Sequence, residues 1–183
     1  MIKRVPAPLS RDAARALRAS DEVLISGTIY TARDAAHKRI TEAIRRGEAL
    51  PFDIKDSVIY YVGPTPAKTG APIGSCGPTT SGRMDAYSPL LISLGETGMI
   101  GKGQRSDAVV RAMREFGAVY FAAIGGAGAL LSKCVVSSEV VAYEDLGAEA
   151  VRRLVVRDFP AIVAIDSLGN NAYITGRDKY KIN

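Results

Sequence analysis

Along this chain, stretches in which apolar residues run together or alternate take turns with stretches in which they recur every third or fourth position. Ser10 is placed to cap a short helix through Leu17, and Glu22 to Ile29 follows as a β-rich run. Thr31-Ala-Arg-Asp34 opens a second helix, in which Ala36, Ile40, Ala43 and Ile44 form an apolar stripe and Gly47 is the expected stop. Ser57 to Val62 reads as a strand ending at Gly63-Pro64, and the stretch to Pro72 has loop composition. Ser88-Pro89 has the form of an N-cap and first helical residue, for a short helix to Gly95. Gly98 to Gly103 reads as turn, strand and turn, and Ser106 to Phe116 is amphipathic through Val109, Val110, Met113 and Phe116. Ala118 to Ile124 is a buried strand, Gly125-Gly-Ala-Gly128 turns into a short helix through Lys133, and Val135 to Tyr143 and Phe159 to Ile165 return as strands before a turn at Gly169-Asn-Asn171. Alternating elements without a linker or repeat predict one α/β domain over residues 1–183.

Two segments break this regular reading. Arg33 and His37 lie at i and i+4 in line with Ile40 and Ile44, so the first turns of a core-facing stripe carry a cation and an imidazole. A polar pocket at that helix end would account for them. A lone Arg there would otherwise be a surface charge at the helix end that disfavours cations, and His37 could equally be a satisfied core-edge histidine or a group orienting Arg33. The second segment is Gly77-Pro-Thr-Thr-Ser-Gly-Arg83, which sets three adjacent hydroxyls and a guanidinium between glycines. Arg83 can take a carboxylate through two parallel hydrogen bonds, and Thr79, Thr80 or Ser81 could donate to it or exchange a proton with a substrate. On spacing alone, a Ser/Thr-rich turn with a solvated Arg fits equally well.

The remaining glycine-rich stretches fail as nucleotide fingerprints. Glu96 stands five residues before Gly101 where a P-loop needs Gly, and Gly103 replaces the magnesium-binding Ser or Thr after Lys102. Leu131 stands where a dinucleotide fingerprint would place its last Gly. Composition narrows the field further. With two Cys, Cys76 and Cys134, and one His scattered singly, the chain lacks the ligands for a zinc or iron-sulfur site of its own, and both thiols read as packed small residues. The net charge of +5 is spread among interleaved acids, which weakens a nucleic-acid reading and suits a small polyanionic substrate or an acidic partner equally. No apolar run approaches the roughly 20 residues of a membrane span, and the basic opening has no apolar core after it, so a cytoplasmic location is expected.

Ser26-Gly-Thr-Ile-Tyr-Thr-Ala-Arg-Asp-Ala-Ala-His37, Gly77-Pro-Thr-Thr-Ser-Gly-Arg-Met-Asp85, Ile100-Gly-Lys-Gly103 and Gly125-Gly-Ala-Gly-Ala-Leu-Leu131 occur in this order and spacing in one family. Over nearly its whole length the chain resembles the beta subunit, or C-terminal domain, of class I iron-sulfur fumarate hydratases and the related L(+)-tartrate dehydratases. The resemblance implies a swivelling three-layer β/β/α domain with a mixed sheet. It implies a hydro-lyase adding water reversibly to fumarate, with the [4Fe-4S] cluster held by a separate alpha subunit in a hetero-oligomer such as a heterotetramer. By motif position, Arg33, Arg83 and Lys102 look like substrate-carboxylate binders, joined by Thr80, and Thr79 looks like the group nearest the carbon that loses a proton; His37 would stand behind them. A tartrate dehydratase beta subunit and a non-catalytic small-anion-binding regulatory domain are the competing readings. Asp34 and Asp85 are read as local caps or Arg partners.

Overall fold

A computed structural model describes residues 1–178. Its elements are β1 (Lys3–Ala7), α1 (Arg11–Ala16), β2 (Glu22–Thr31), α2 (Asp34–Arg46), β3 (Val58–Tyr60), α3 (Ser88–Ser93), β4 (Gly98–Gly101), α4 (Asp107–Phe116), β5 (Val119–Ala122), α5 (Gly128–Leu131), β6 (Val135–Ala142), β7 (Val151–Ile165) and α6 (Ala172–Asp178). The seven strands make one mixed sheet in the order β1-β2-β3-β4-β5-β7-β6. β1 to β5 pair in parallel, each with the next, whereas β7 runs antiparallel to β2, β5 and β6. Because β7 pairs with β5 at one end and along β2 on its other edge, the pairings β2-β3-β4-β5-β7-β2 close into a ring.

The central parallel strands are buried on both faces. Val58, Tyr60 and Val62 join Ile25, Ile100, Phe121 and Phe159 in one apolar cluster. The alternate residues Ile59 and Tyr61 join Ile40 of α2, Leu91 of α3 and Met113 of α4 in a second. A parallel strand covered on both sides needs apolar residues at every position, and that is why Ser57 to Val62 shows an unbroken apolar run. The helix signals act as read: the Ser10 hydroxyl accepts from the Ala13 N–H at 3.2 Å, and Gly47 closes α2. At α3 the detail differs. Tyr87 is the N-cap and Ser88 the first helical residue, its hydroxyl turned inward to the Met84 carbonyl at 3.1 Å.

Other differences concern strands. The sequence pattern marks no element over Lys3–Ala7, where Pro6 disfavours a strand, but β1 is an edge strand pairing with β2, where a missing N–H is tolerated. The expected strand Phe159–Ile165 is the second half of the 15-residue β7. Its two halves meet at Asp158, whose φ of 48° interrupts the extended backbone, and whose N–H donates to the Ser26 hydroxyl across the register shift of β2. Among the described residues no helix is long and apolar enough to cross a membrane.

Candidate functional site

The carboxyl ends of β2, β3, β4 and β5 lie side by side, and each leads into one of the segments singled out above. Arg33 follows β2, Gly63 and the Thr79–Arg83 loop follow β3, Lys102 follows β4, and Gly125–Gly128 follows β5. Loops at this end of the parallel strands are free of the packing that fixes the strands, and loops set on a rigid scaffold in this way commonly carry binding residues.

Arg33 is the N-cap residue of α2, with no capping hydrogen bond from its own side chain. Glu149, at the end of the segment Glu144–Glu149 before β7, whose 3-10 turns are broken by a kink at Gly147, supplies that function instead, accepting from the Ala35 N–H at 2.9 Å. Its other oxygen lies 3.5 Å from Arg33 Nη2, and an Asp34 oxygen lies 3.7 Å from the same nitrogen. The guanidinium crosses Gly63, where a Cβ would fall 2.8 Å from Nη1. Asp34 also accepts from Arg83 Nε at 2.8 Å. One carboxylate thus gathers the two arginines. Neither ion pair closes Arg33 into a tight fork, and its Nε is buried without a hydrogen-bond partner.

The hydroxyl loop is fixed by its backbone. The Thr79 N–H donates to the Tyr61 carbonyl at 2.7 Å, the Lys102 N–H to the Thr79 carbonyl at 3.2 Å, and the Ser81 N–H to the Lys102 carbonyl at 2.8 Å, so the loop extends the sheet beside Lys102. Among the three hydroxyls, Ser81 is committed inward. It is fully buried, hydrogen-bonds the Tyr120 hydroxyl at 2.9 Å, and fills the space above Gly101, where a Cβ would lie 1.9 Å from its oxygen. Thr79, half-buried, and Thr80, exposed, are the hydroxyls left for a ligand, beside the exposed Lys102 and Arg83. The Lys102 stem passes Gly125, and the Gly125–Gly128 turn in turn accepts the Cys76 N–H at the Gly128 carbonyl at 3.1 Å.

Beneath these groups lies a buried polar layer. His37 has no exposed surface; its Nδ1 hydrogen-bonds the Arg33 carbonyl at 3.0 Å and its ring meets Tyr61 edge-on. Burial drives the imidazole down to about 4, so it is neutral at physiological pH, and its Nε2 is enclosed without a partner. His37 therefore holds the Arg33 backbone. Arg105 and Glu96 were not visible in the spacing. The Arg105 guanidinium is buried between the Tyr61 and Tyr120 rings and pairs with Asp85 at 2.7 Å. The Glu96 carboxyl is buried with both oxygens unpartnered, and burial pushes it up to about 8 against the pull of Arg105. Arg105 follows the Gly-Lys-Gly turn by two residues and would have been a candidate on charge; Glu149 carries no local sequence signal at all.

Among the described residues no three His, Cys, Asp or Glu side chains converge as metal ligands. Cys76 and Cys134 are free thiols, both raised by burial, Cys76 to about 11, which disfavours the thiolate that a cluster requires. The described residues do not fit an iron-sulfur site.

Comparison with known proteins agrees with the motifs. The family model described as Fumarase C-terminus matches residues 3–176. The chain is 44% identical over 156 residues to "Fumarate hydratase class I, anaerobic" of Escherichia coli, covering 84% of this chain and 28% of that protein. It is 42% identical over 153 residues to "Fumarate hydratase 2" of Leishmania major, covering 82% and 27%. A Methanocaldococcus jannaschii protein named as an L(+)-tartrate dehydratase subunit beta is 40% identical over 171 residues, covering 90% of this chain and 88% of that one. The chain thus spans between a quarter and a third of the fumarate hydratases it matches and nearly the whole of the separate subunit. With the match running from β1 into α6 and taking in every loop at the strand ends, the chain belongs to the fumarase C-terminus family.

Proposed function

We propose that this chain is the beta component of an iron-sulfur hydro-lyase that reversibly hydrates fumarate to L-malate, supplying the substrate's carboxylate contacts and a proton-transfer hydroxyl. The observation that carries the reading is that Arg33 and Arg83 share Asp34 while Thr79 and Lys102 exchange a backbone hydrogen bond, all at one end of the parallel strands. Three cations beside two carboxylates suit a small dianion, which can replace Asp34 as the acceptor for Arg83 and as the counter-charge beside Arg33. The three-layer arrangement and the swivel that the family resemblance implies are part of the same proposal. The layering is supported by apolar clusters on both faces of the central strands.

The chemistry open to this chain follows from its side chains. Arg33, Arg83 and Lys102 orient the diacid, with Thr80 as a further donor. Removing a proton next to a carboxylate builds charge on that carboxylate, and an Arg fork stabilises the product of that step more than the bound ground state. Thr79 lies beside this position, but a Thr hydroxyl is a weak base and needs activation by the surrounding cations or by a carboxylate of the partner. The cluster of the family belongs, in this proposal, to an alpha subunit in the cytoplasm, in a hetero-oligomer such as a heterotetramer. Among the described residues none builds its site, so this chain would contribute substrate binding and proton transfer.

Tartrate dehydration is the second reading, favoured by the relative that this chain covers almost completely. Co-expression with its companion subunit, anaerobic reconstitution with iron and sulfide, and parallel assays on fumarate and L(+)-tartrate test both. Fumarate consumption that Arg83→Ala suppresses supports the first reading, turnover of tartrate alone supports the second, and inertness toward both diacids overturns the enzymatic reading.

A further inference from the structure

Arg105 stands close to the binding loops, but the binding reading leaves it unused, and its side chain has no exposed surface. Each of its nitrogens is engaged. Nε donates to Asp85 at 2.7 Å, Nη2 to the Ser88 hydroxyl at 2.7 Å, and Nη1 to the Tyr61 hydroxyl at 3.3 Å and to Met99 Sδ at 3.2 Å. Asp85 ends the turn that carries Arg83, and Ser88 opens α3 just beyond it. Asp85 also accepts the Ser106 N–H at 2.6 Å, so it grips the segment after Lys102 twice. From the other side, the Tyr120 hydroxyl ties Ser81 to the Gly103 carbonyl, the latter at 2.8 Å. The loop bearing Arg83 and the loop bearing Lys102 are thus clamped around one guanidinium. A planar fork can serve several fixed acceptors at once, whereas an ammonium at that place is a single point of contact.

We infer that Arg105 is a positioning residue that fixes the span between the Arg83 and Lys102 cations and, through that span, the length of diacid the site accepts. This rests on the dicarboxylate reading above. Binding energy depends on holding charges at set separations, and a shift of about 1 Å in a positioning group can cost about 100-fold. Loosening the clamp relaxes the separation and blurs the distinction between a four-carbon and a five-carbon diacid.

The test uses the reconstituted complex and competitive inhibition by succinate and glutarate. Wild type is expected to prefer the four-carbon acid, and Arg105→Lys and the gentler Asp85→Asn are each expected to lower that preference about tenfold, with KM for fumarate raised more than kcat falls. A purely structural role would reduce the active fraction and leave the preference among the remaining molecules unchanged, which would overturn the inference. Asp85→Asn keeps the test open if Arg105→Lys fails to fold, because Asp85 is half-buried and its amide can still accept one bond. A wild-type complex that binds no four-carbon diacid overturns the proposed function and this inference together. One that binds it, with variants that keep its selectivity, overturns the inference alone.

Discussion

Single side chains at the strand ends divide into those that would meet a ligand and those that hold them. Arg83 stands half in solvent with Asp34 as its partner, so replacing it removes a charge-assisted contact with little effect on packing. Arg83→Ala should raise the KM for fumarate about 10- to 100-fold while the melting temperature stays near wild type, a split visible in steady-state kinetics beside calorimetry. Thr79→Val should instead lower kcat about 100-fold or more with KM held, since it removes a proton carrier and keeps the shape. Buried groups predict stability in place of rate. Glu96 has its folded value raised to about 8, mainly by burial, so the folded chain holds a proton that the unfolded chain has already lost, and stability falls as pH rises from about 4.5 to about 8. Glu96→Gln should match wild type near pH 5 and melt higher near pH 9; parallel melting curves would contradict this. His37 has the opposite sign. Its folded value is lowered to about 4 by burial, with Arg105 adding to the depression and Asp34 and the Arg33 carbonyl opposing it, so stability is lost as pH falls from about 6.5 toward 4. His37→Gln should flatten that acid limb.

Among elements, the contact between the Thr-Thr-Ser loop and β4 is the most demanding. A methyl at position 101 would meet the Ser81 hydroxyl oxygen at 1.9 Å and the Tyr61 ring at 3.0 Å. Gly101→Ala should therefore cost about 1–3 kcal/mol in urea unfolding, and adding Ser81→Ala should recover part of it by removing that oxygen. Elements governed by local signals could be read directly: α1 by Ser10, α2 by its stripe and Gly47, β3 by its run of apolar residues. β1 and the first half of β7 could not, because Pro6 and the Arg152, Arg153, Arg157 and Asp158 charges oppose a strand locally and only pairing with β2 and β6 overrides them. The candidate site divides in the same way. Arg33, Thr79, Thr80, Arg83 and Lys102 lie in motifs. Glu149 reaches Arg33 from more than a hundred residues away, and the enclosure of Arg105 depends on three separate elements.

For the whole molecule, the distribution of exposure is informative. Lys102, Arg83 and Thr80 are uncovered on the same end, and Ile124 and Leu130, on either side of the Gly125–Gly128 turn, are 65% and 58% exposed. In the hetero-oligomer proposed above, these are groups that a second subunit would cover. The closed ring of strands also bears on how the chain reaches this state. β7 pairs with β2 across more than a hundred residues, Glu22 opposite Ile162, and it seals β5 as well. Until the ribosome has delivered residues 151–165, β2 and β5 each present an unsatisfied edge, and the parallel strands between them are paired over long loops. Folding should be slow, and the nascent chain exposed to mispairing with its neighbours, for as long as that one late strand is missing.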